Sequence, residues 1–238
     1  MKIFPKHDIQ TITMRQGVEL IIAADNSGAI GMKSEDEIHI SYERVAYYAF
    51  RVAYMECVAA GGQPFAVVIQ NFNGDAAWDS LIVGIENGRQ ELEMEPLQIT
   101  GSSESNFNLK QSATGITVLG KREKTKEAER SLNNYRAAVI GKPLVGQAVV
   151  EQKDAVAPLP IFQWFSQQPE VIALKPVGSK GIADAWKKIM PEYTNPFANH
   201  ASLHDSAGPA TCFIVIYKAS FHHSIVKQAG KWLYDWNE

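Results

Sequence analysis

Short apolar runs alternate with polar, glycine-bearing segments through the first half of the chain. The run at 18–24 is apolar and leads into a polar segment with glycines, which is typical of a buried strand. Residues 37–40 alternate between polar and apolar, which predicts a short strand paired with the first. Further apolar segments predict strands at 64–70, 97–100 and 115–119.

Two segments between these strands predict helices. Ser41 is a candidate N-cap, and the helix that it opens extends to about Ala60, where the pair Gly61-Gly62 ends it. The second predicted helix covers 78–94. The pattern therefore predicts an α+β domain in which both helices pack on one face of a mainly antiparallel sheet.

A polar, charged stretch at 121–136 separates the two halves, and it is either a linker or a solvated helix. The second half begins with a strand-like segment at 137–141, and its other predicted elements are strands at 171–174 and 212–217 and helices at 179–190 and 221–236. We therefore predict two domains, 1–122 and 123–238, of which the second is a smaller α/β domain.

Composition narrows the class of protein. The chain has 238 residues and a net charge of -3, so it has no basic excess for binding nucleic acid. Its two cysteines lie in apolar runs, which indicates a reducing compartment. The first residues lack the apolar region of a signal peptide, and no apolar run approaches the roughly 20 residues of a membrane span. We expect a cytoplasmic protein that does not associate with membranes.

The segment AADNSGAIG, at 23–31, places a carboxylate at the end of the first predicted strand. Mg²⁺ takes oxygen ligands, commonly one or two carboxylates together with substrate phosphates. Glycines let backbone N–H groups approach phosphate oxygens. Asp25 is therefore a candidate metal ligand, with Ser27 and Gly28 near the phosphates. The alternative is a turn in which Asp25 hydrogen-bonds its own backbone, and both interpretations stay open.

Glu56 falls on an apolar stripe of the first predicted helix. Steps of about 100° per residue place it in the middle of Val45, Ala49, Val52 and Ala60. A carboxylate on an apolar face is costly unless it is paired or binds a metal. The position slightly favours a metal ligand or phosphate-site acid over a buried ion pair.

The segment TGSSESN, at 100–106, gathers hydroxyl, acid and amide side chains after a predicted strand. Such a group at a strand end is suited to a polar ligand. Taken alone, the composition favours a solvated hairpin loop of ordinary turn residues.

Four segments resemble, in order, segments of the aminoimidazole ribonucleotide synthetase (PurM-like) superfamily. They are ELIIAAD at 19–25, MECVAAGGQP at 55–64, TGSSESN at 100–106 and QSATGITVLG at 111–120. The second half resembles the superfamily more loosely, at 141–146 and 177–182. The superfamily includes thiamine monophosphate kinase, selenophosphate synthetase and a hydrogenase-maturation dehydratase.

The resemblance implies an N-terminal β-rich α/β domain that binds ATP and Mg²⁺ and forms a homodimer by joining sheets. It implies a shortened C-terminal α/β domain that covers a small-molecule substrate. The metal ligands implied are Asp8, Asp25 and Glu56, where the superfamily usually has Asp at the position of Glu56. The loop KHDIQ around Asp8 lacks the glycine of the superfamily, and serines replace part of its Gly-Gly-acid-Thr segment.

Within the superfamily, DNSGAIGMK and ITGSSESNF look most like the α-ribazole kinase branch of cobalamin salvage. That branch implies transfer of the γ-phosphoryl group of ATP to the ribose 5-hydroxyl of α-ribazole, a reaction promoted by positioning and charge stabilisation. Lys33 and Arg51 are then candidate phosphate-binding cations, and Asp36 is a candidate base or further metal ligand. Polar or small residues after the strands are the candidate ATP-binding residues: Ser27, Gly28, Gly101, Ser102, Ser103, Glu104 and Asn106. The alternatives are a non-catalytic or regulatory nucleotide-binding protein and another ATP-dependent synthetase of the superfamily.

Overall fold

The computed structural model describes residues 8–124 and 134–234, so most of the predicted segment 121–136 lies outside the described residues. The chain divides into two compact units, the first of which is Asp8–Lys124. None of the helices in the described ranges combines the length and apolar character needed to cross a membrane.

The first unit is built on a five-stranded sheet in the order β1-β2-β7-β5-β6. Its strands and helices are β1 (Ile9–Thr13), β2 (Val18–Gly28), β3 (Ile30–Gly31), β4 (Ile38–His39), α1 (Tyr42–Ala59), β5 (Gln63–Asn71), α2 (Trp78–Glu91), β6 (Gln98–Ser103) and β7 (Ala113–Glu123). Strands β5 and β6 are parallel, whereas the other neighbours in this sheet are antiparallel. The predicted α+β class and the mainly antiparallel sheet are confirmed.

Helix α1 begins and ends for local reasons. The Ser41 side chain accepts a hydrogen bond from the Arg44 N–H, so the predicted N-cap is confirmed. Gly61 follows the helix with φ of 82°, a left-handed conformation that glycine adopts without steric cost. The carbonyl of Ala60 at this end accepts a hydrogen bond from the Arg122 side chain.

One face of the sheet is buried beneath the helices. Alternate residues of the three central strands form its core, namely Ile21, Ala23, Ile116, Val118, Val67 and Ile69. The opposite face includes partly accessible apolar residues, Leu20, Ile22, Leu119 and Val68. The sheet therefore has one helix-covered face and one face, which we call the open face, that the helices leave uncovered.

Two local predictions in this unit are wrong. The polar segment after residue 24 is strand, because β2 pairs with β7 without interruption as far as Gly28 and Ala113. The strand predicted at 37–40 does not pair with β2. Instead, β4 pairs with β3 in parallel. In both cases cross-strand pairing, which is not local in sequence, overrides the turn preference of Asp, Asn, Ser and Gly.

The second unit has a four-stranded antiparallel sheet in the order β11-β8-β10-β9. Its elements are β8 (Tyr135–Ile140), α3 (Gln147–Glu151), α4 (Leu159–Gln167), β9 (Val171–Pro176), α5 (Gly181–Ile189), β10 (Phe213–Lys218), α6 (His222–Ala229) and β11 (Leu233–Tyr234). The core of this unit includes Ile214 and Ile216 of β10 with Trp186 and Ile189 of α5.

Three helices of the second unit differ from the sequence predictions, and one of them, α3, was not predicted. Helix α4 was not predicted either, although Pro160 lies in its first turn, a common position for proline in helices. The closing helix predicted at 221–236 ends at Ala229, and Gly230 has a positive φ of 51°. The chain then forms the short strand β11 beside β8.

Candidate functional site

Four strands of the first unit meet at one edge of the sheet. Strand β2 ends there, strands β5 and β6 end there in parallel, and β7 begins there, because Gly28 pairs with Ala113 and Asn71 pairs with both Thr114 and Ser103. Three connecting segments therefore leave this edge, at 29–37, 72–77 and 104–112. We call it the polar edge.

A row of polar side chains crosses the four strands just inside the polar edge. Ser27 pairs with Thr114, Thr114 with Asn71, and Asn71 with Ser103, so all four residues share the helix-covered face. Thr114 and Asn71 are buried, with exposed fractions of 2% and 1%. The structure thus brings Ser27 and Ser103, both predicted from the sequence, onto one row.

The row is held by two asparagine side chains. Asn71 donates through Nδ2 to the Gly74 carbonyl and to Ser103 Oγ, each over 2.9 Å. Asn73 donates through Nδ2 to Thr114 Oγ1 over 2.8 Å, and its Oδ1 accepts from the Ala113 N–H over 2.9 Å. These amides connect the segment after β5 to the end of β6 and to the start of β7.

The sequence analysis did not select Asn71, Asn73 or Thr114. A usable signal was present, because the strand at 63–71 runs into Asn-Phe-Asn-Gly-Asp, a polar segment at a strand end like the one that drew attention to Asp25. Thr114 had no such signal, since a threonine in a strand is ordinary.

Asp25 lies two residues before Ser27 on β2, on the same face of the sheet, and it pairs with Ile116. Burial raises the pKa of its carboxyl group to about 7, and a hydrogen bond with the Asn26 backbone acts weakly in the other direction. The carboxyl group therefore changes charge near neutral pH. A bound cation would favour its ionised form, so the position suits a carboxylate that is charged when a metal is present.

The pairing of β1 with β2 brings the chain at Asp8 near the chain at Asp25. Ile9, the first residue of β1, pairs with Ala23. Asp8 comes directly before Ile9, and Asp25 is two residues after Ala23. Asp8 is exposed and has a positive φ of 67°. Asp8 and Asp25 are thus two carboxyl-bearing residues on neighbouring chain segments.

Glu56 is buried, with an exposed fraction of 8%, as its place on the apolar stripe predicted. It belongs to the last turns of α1, and the next residue, Cys57, packs against Gly120. Gly120 is four residues along β7 from Ile116, the partner of Asp25, and this corresponds to roughly 13 Å along the strand. Within the described ranges, no three His, Cys, Asp or Glu residues form a group that could hold a metal ion. The structure therefore does not gather Asp8, Asp25 and Glu56 into one three-residue group.

Asp36 and Lys33 fix the segment after β2 in place. The Asp36 carboxylate accepts hydrogen bonds from the Ser112 N–H, the Ser112 hydroxyl and the Lys33 N–H. Burial alone would raise the pKa of Asp36, but these hydrogen bonds outweigh it and lower the pKa. The Lys33 ammonium donates to the carbonyls of Phe72 and Gln111. These contacts give both side chains a structural role in this segment, and the roles of base and phosphate-binding cation stay predictions.

Arg51 is fully buried between the helices of the first unit, with an exposed fraction of 1%. Burial lowers its pKa, whereas Tyr47 and Glu91 favour its charged form. The Tyr47 hydroxyl donates to the Glu91 carboxylate over 2.6 Å. Arg51 is thus part of the packing between α1 and α2, which weighs against the predicted role of a phosphate-binding cation.

The remaining predicted residues lie on the polar edge or beside it. Gly101 on β6 packs so close to the Ile69 backbone that a side chain would overlap it. The packing of the two strands therefore explains why this residue is glycine. Ser102 is exposed on the open face, next to Gln70 of β5. Glu104 accepts hydrogen bonds from the N–H groups of Asn106 and Phe107 and so organises the turn after β6.

Comparison with known proteins identifies the fold. No family model and no curated protein matches the sequence. Thiamine monophosphate kinase from Aquifex aeolicus matches with a TM-score of 0.59 and 10% identity, over 90% of this chain and 84% of that chain. The protein tt0281 from Thermus thermophilus matches with a TM-score of 0.58 and 11% identity, over 95% of this chain and 85% of that chain. PurL from T. maritima, complexed with ADP, matches with a TM-score of 0.62 and 12% identity.

The match to PurL covers 98% of this chain but 41% of PurL, so the chain spans less than half of that protein. A further match, with a TM-score of 0.57, is hydrogenase maturation protein HypE in complex with ATP. The present chain has the fold of these structures, as the resemblance of its segments implied.

Proposed function

We propose that this protein binds ATP with Mg²⁺ and transfers the γ-phosphoryl group to a nucleoside-like small molecule. One observation carries the proposal: the chain shares its fold, over 89–98% of its length, with structures bound to ADP, to ATP and to the ATP analogue AMPPCP. The polar edge supports it, because a carboxyl group and a row of hydroxyl groups lie together there.

The proposed metal ligands are Asp25 and Asp8, with nucleotide phosphates completing the coordination. This donor set fits Mg²⁺, which is usually held by one or two carboxylates plus substrate phosphates. The magnesium ion would neutralise negative charge on the phosphates during transfer. Glu56 stays a predicted ligand, but its place near Gly120 makes Asp25 and Asp8 the better-supported pair.

Ser27, Gly28, Ser102, Ser103, Glu104 and Asn106 are the residues that we propose lie near the nucleotide. Ser27 and Ser103 are on the row itself, while Glu104 fixes the turn that presents the Asn106 N–H. In the proposed reaction, a hydroxyl oxygen of the acceptor forms a bond to the γ-phosphorus. The bond from this phosphorus to the β,γ-bridging oxygen breaks, ADP leaves, and the hydroxyl proton is released.

We further propose α-ribazole as the acceptor, with α-ribazole 5'-phosphate as the product. This choice is supported by the likeness of DNSGAIGMK and ITGSSESNF to the α-ribazole kinase branch. It is the most specific part of the proposal, and it is independent of the geometry of the polar edge.

The open face of the sheet supports a homodimer formed through the first unit. Leu20, Ile22, Leu119 and Val68 lie next to one another there, and Ile12 beside them is 43% exposed. Covering an apolar sheet face with a second apolar surface is favourable, because both surfaces are removed from water. A second copy of the chain, packed sheet to sheet, is the partner that we propose.

A second candidate function is nucleotide binding without catalysis. It is favoured by the loop around Asp8, which lacks the glycine of the superfamily, and by the serines at 102 and 103. This candidate predicts ATP binding with no phosphorylated product for any acceptor.

The test is a binding and turnover experiment with the full chain. ATP binding is measured by calorimetry with and without Mg²⁺, and phosphate transfer is measured with a set of nucleoside acceptors that includes α-ribazole. We expect Mg²⁺-dependent ATP binding and a phosphorylated product, both reduced strongly by Asp25→Asn. Binding without product supports the second candidate, and product with another acceptor removes only α-ribazole. A chain that binds no adenine nucleotide removes both candidates.

A further inference from the structure

Asn71 and Asn73 have side-chain orientations that are fixed by backbone groups. The Oδ1 of Asn71 accepts from the Asn73 N–H, and its Nδ2 donates to the Gly74 carbonyl. The Oδ1 of Asn73 accepts from the Ala113 N–H. A backbone N–H only donates and a carbonyl only accepts, so neither amide can exchange its oxygen and nitrogen without losing these bonds.

These orientations determine what two hydroxyl groups do. Nδ2 of Asn73 donates to Oγ1 of Thr114, and Nδ2 of Asn71 donates to Oγ of Ser103. Each hydroxyl oxygen is therefore an acceptor toward its asparagine. Its own hydrogen is left to donate in another direction.

Ser27 stands directly across from Thr114 and adds a third hydroxyl. Its Oγ is buried and has no hydrogen-bond partner among the described residues. A buried hydroxyl without a partner is unfavourable, and such a group in a folded protein calls for an explanation. We call the hydroxyls of Ser27, Thr114 and Ser103 the hydroxyl row.

The chemistry of the hydroxyl row defines its ligand. Thr114 and Ser103 each offer a hydrogen, and Ser27 offers both a hydrogen and an unused oxygen. A ligand whose oxygens only accept hydrogen bonds is complementary to such donors. Neighbouring strands are about 4.8 Å apart, so Thr114 lies roughly 5 Å from Ser27 and roughly 10 Å from Ser103. This spacing fits a chain of linked phosphates better than a single phosphate.

We propose that the hydroxyl row binds the phosphoryl oxygens of the nucleotide, and that Asn71 and Asn73 are positioning residues that hold its hydroxyls as donors. This inference rests on the proposed function and adds to it the residues that recognise the polyphosphate. Recognition by neutral donors is consistent with the contacts of Lys33 and Arg51, which engage other groups of the protein.

The first test is Ser27→Ala, because the two readouts are expected to move in opposite directions. Removal of a buried hydroxyl without a partner leaves the melting temperature of the ligand-free protein unchanged or raises it. The same change removes a donor to a charged oxygen and weakens ADP binding by about tenfold or more, measured by isothermal titration calorimetry. If ADP binding stays within about twofold of wild type, Ser27 does not contact the phosphates.

The second test reverses the polarity at Asn73. Asn73→Asp keeps an oxygen for the Ala113 N–H but replaces Nδ2 with an acceptor, toward which the Thr114 hydroxyl then donates. We expect weaker ADP binding, and Thr114→Val is expected to show the same loss while Thr114→Ser keeps wild-type binding. Asn195→Asp is the matched control, because it adds the same charge and keeps an equivalent bond from the Phe197 N–H.

A double-mutant cycle separates positioning from general damage. If Asn73 acts through Thr114, Asn73→Ala weakens ADP binding in the wild-type background and has a smaller effect in Thr114→Val. Equal effects in both backgrounds overturn the positioning role.

Binding of inorganic tripolyphosphate is the measurement that distinguishes the hydroxyl-row proposal from the proposed function. Binding of tripolyphosphate that depends on Ser27 and Thr114, without binding of ADP or ATP, supports the hydroxyl row and removes the proposed function. Binding of ADP by wild type that is unaffected in Ser27→Ala and Thr114→Val overturns the hydroxyl row and leaves the proposed function standing. A wild-type chain that binds neither compound removes both.

Discussion

Asp36 and Ser112, which are 76 positions apart, are joined by two hydrogen bonds of 2.6 Å each. The Ser112 N–H and hydroxyl donate to the two oxygens of the carboxylate, and Tyr42 at the start of α1 contacts the same hydroxyl over 3.1 Å. This contact attaches the segment after β2 to the start of β7, beside the polar edge.

Asp36→Asn is expected to destabilise the protein. The amide keeps one acceptor but turns an N–H₂ group toward a donor, and each lost hydrogen bond to a charged group is worth about 1.5–3 kcal/mol. We expect a loss of about 2–4 kcal/mol in the free energy of unfolding, measured by urea denaturation. Asp75→Asn, at an exposed position, is the control and is expected to change stability little. An Asp36→Asn protein of wild-type stability would contradict the structural role.

Asp25 and Asp36 are expected to affect stability in opposite ways as pH changes. Burial raises the pKa of Asp25 from 3.8 to about 7, so its stabilising contribution is complete below about pH 4 and is lost as pH rises through 7. The pKa of Asp36 is lowered, so its contribution is present above about pH 4 and is lost as pH falls below that value.

Asp25→Asn should therefore be more stable than wild type above pH 7 and nearly equal to it near pH 4. A pKa change from 3.8 to about 7 gives an upper limit of roughly 4 kcal/mol for the difference. The measurement is urea denaturation of both proteins at pH 4.5, 6 and 8 without added metal. A difference that does not grow with pH would show that the Asp25 carboxyl group is solvated.

The sequence pattern predicted much of the first unit because its elements follow simple periodicities. Ser41 caps the helix that was predicted after it, and the strand predicted at 115–119 lies within β7. Asp25 was predicted at the end of a strand, whereas the structure places it inside β2, because pairing with β7, which is remote in sequence, continues past Ile116 as far as Ala113.

The helical periodicity of α1 did not predict that Arg51 is buried. That periodicity describes one buried stripe, whereas α1 packs against both the sheet and α2. Gly84 and Gly88 of α2 allow the second contact, since a side chain at either position would overlap residues of α1, including Phe50 at Gly88. The close packing of two helices through glycine is a property of the pair, so the sequence of α1 alone did not show it.

Gly120→Ala is expected to destabilise the first unit through Cys57. A methyl group at position 120 would overlap the Cys57 sulfur, which lies in the core with no exposed surface. Overpacking of this kind typically costs about 1–3 kcal/mol, so the midpoint of urea denaturation should fall. The double variant Gly120→Ala with Cys57→Ala should recover part of this loss because the smaller side chain makes room. No recovery in the double variant would show that the overlap is not with Cys57.

The open face is expected to hold the proposed dimer together. Ile22 and Leu119 are paired on neighbouring strands of this face and are only partly covered within one chain. Placing a carboxylate there, as in Ile22→Asp, would bury a charge without a partner in a sheet-to-sheet interface and should convert the dimer to a folded monomer. Analytical ultracentrifugation gives the mass of each species, and circular dichroism checks that the variant is folded.

Val83→Asp is the matched control for this change, because Val83 is 46% exposed on α2, a helix on the other side of the sheet. It is expected to keep the wild-type mass. If Ile22→Asp remains a dimer while folded, the copies associate through another surface. If the wild-type chain is already a monomer at micromolar concentration, the open face has no partner of its own kind, and its apolar residues must be explained by a different partner.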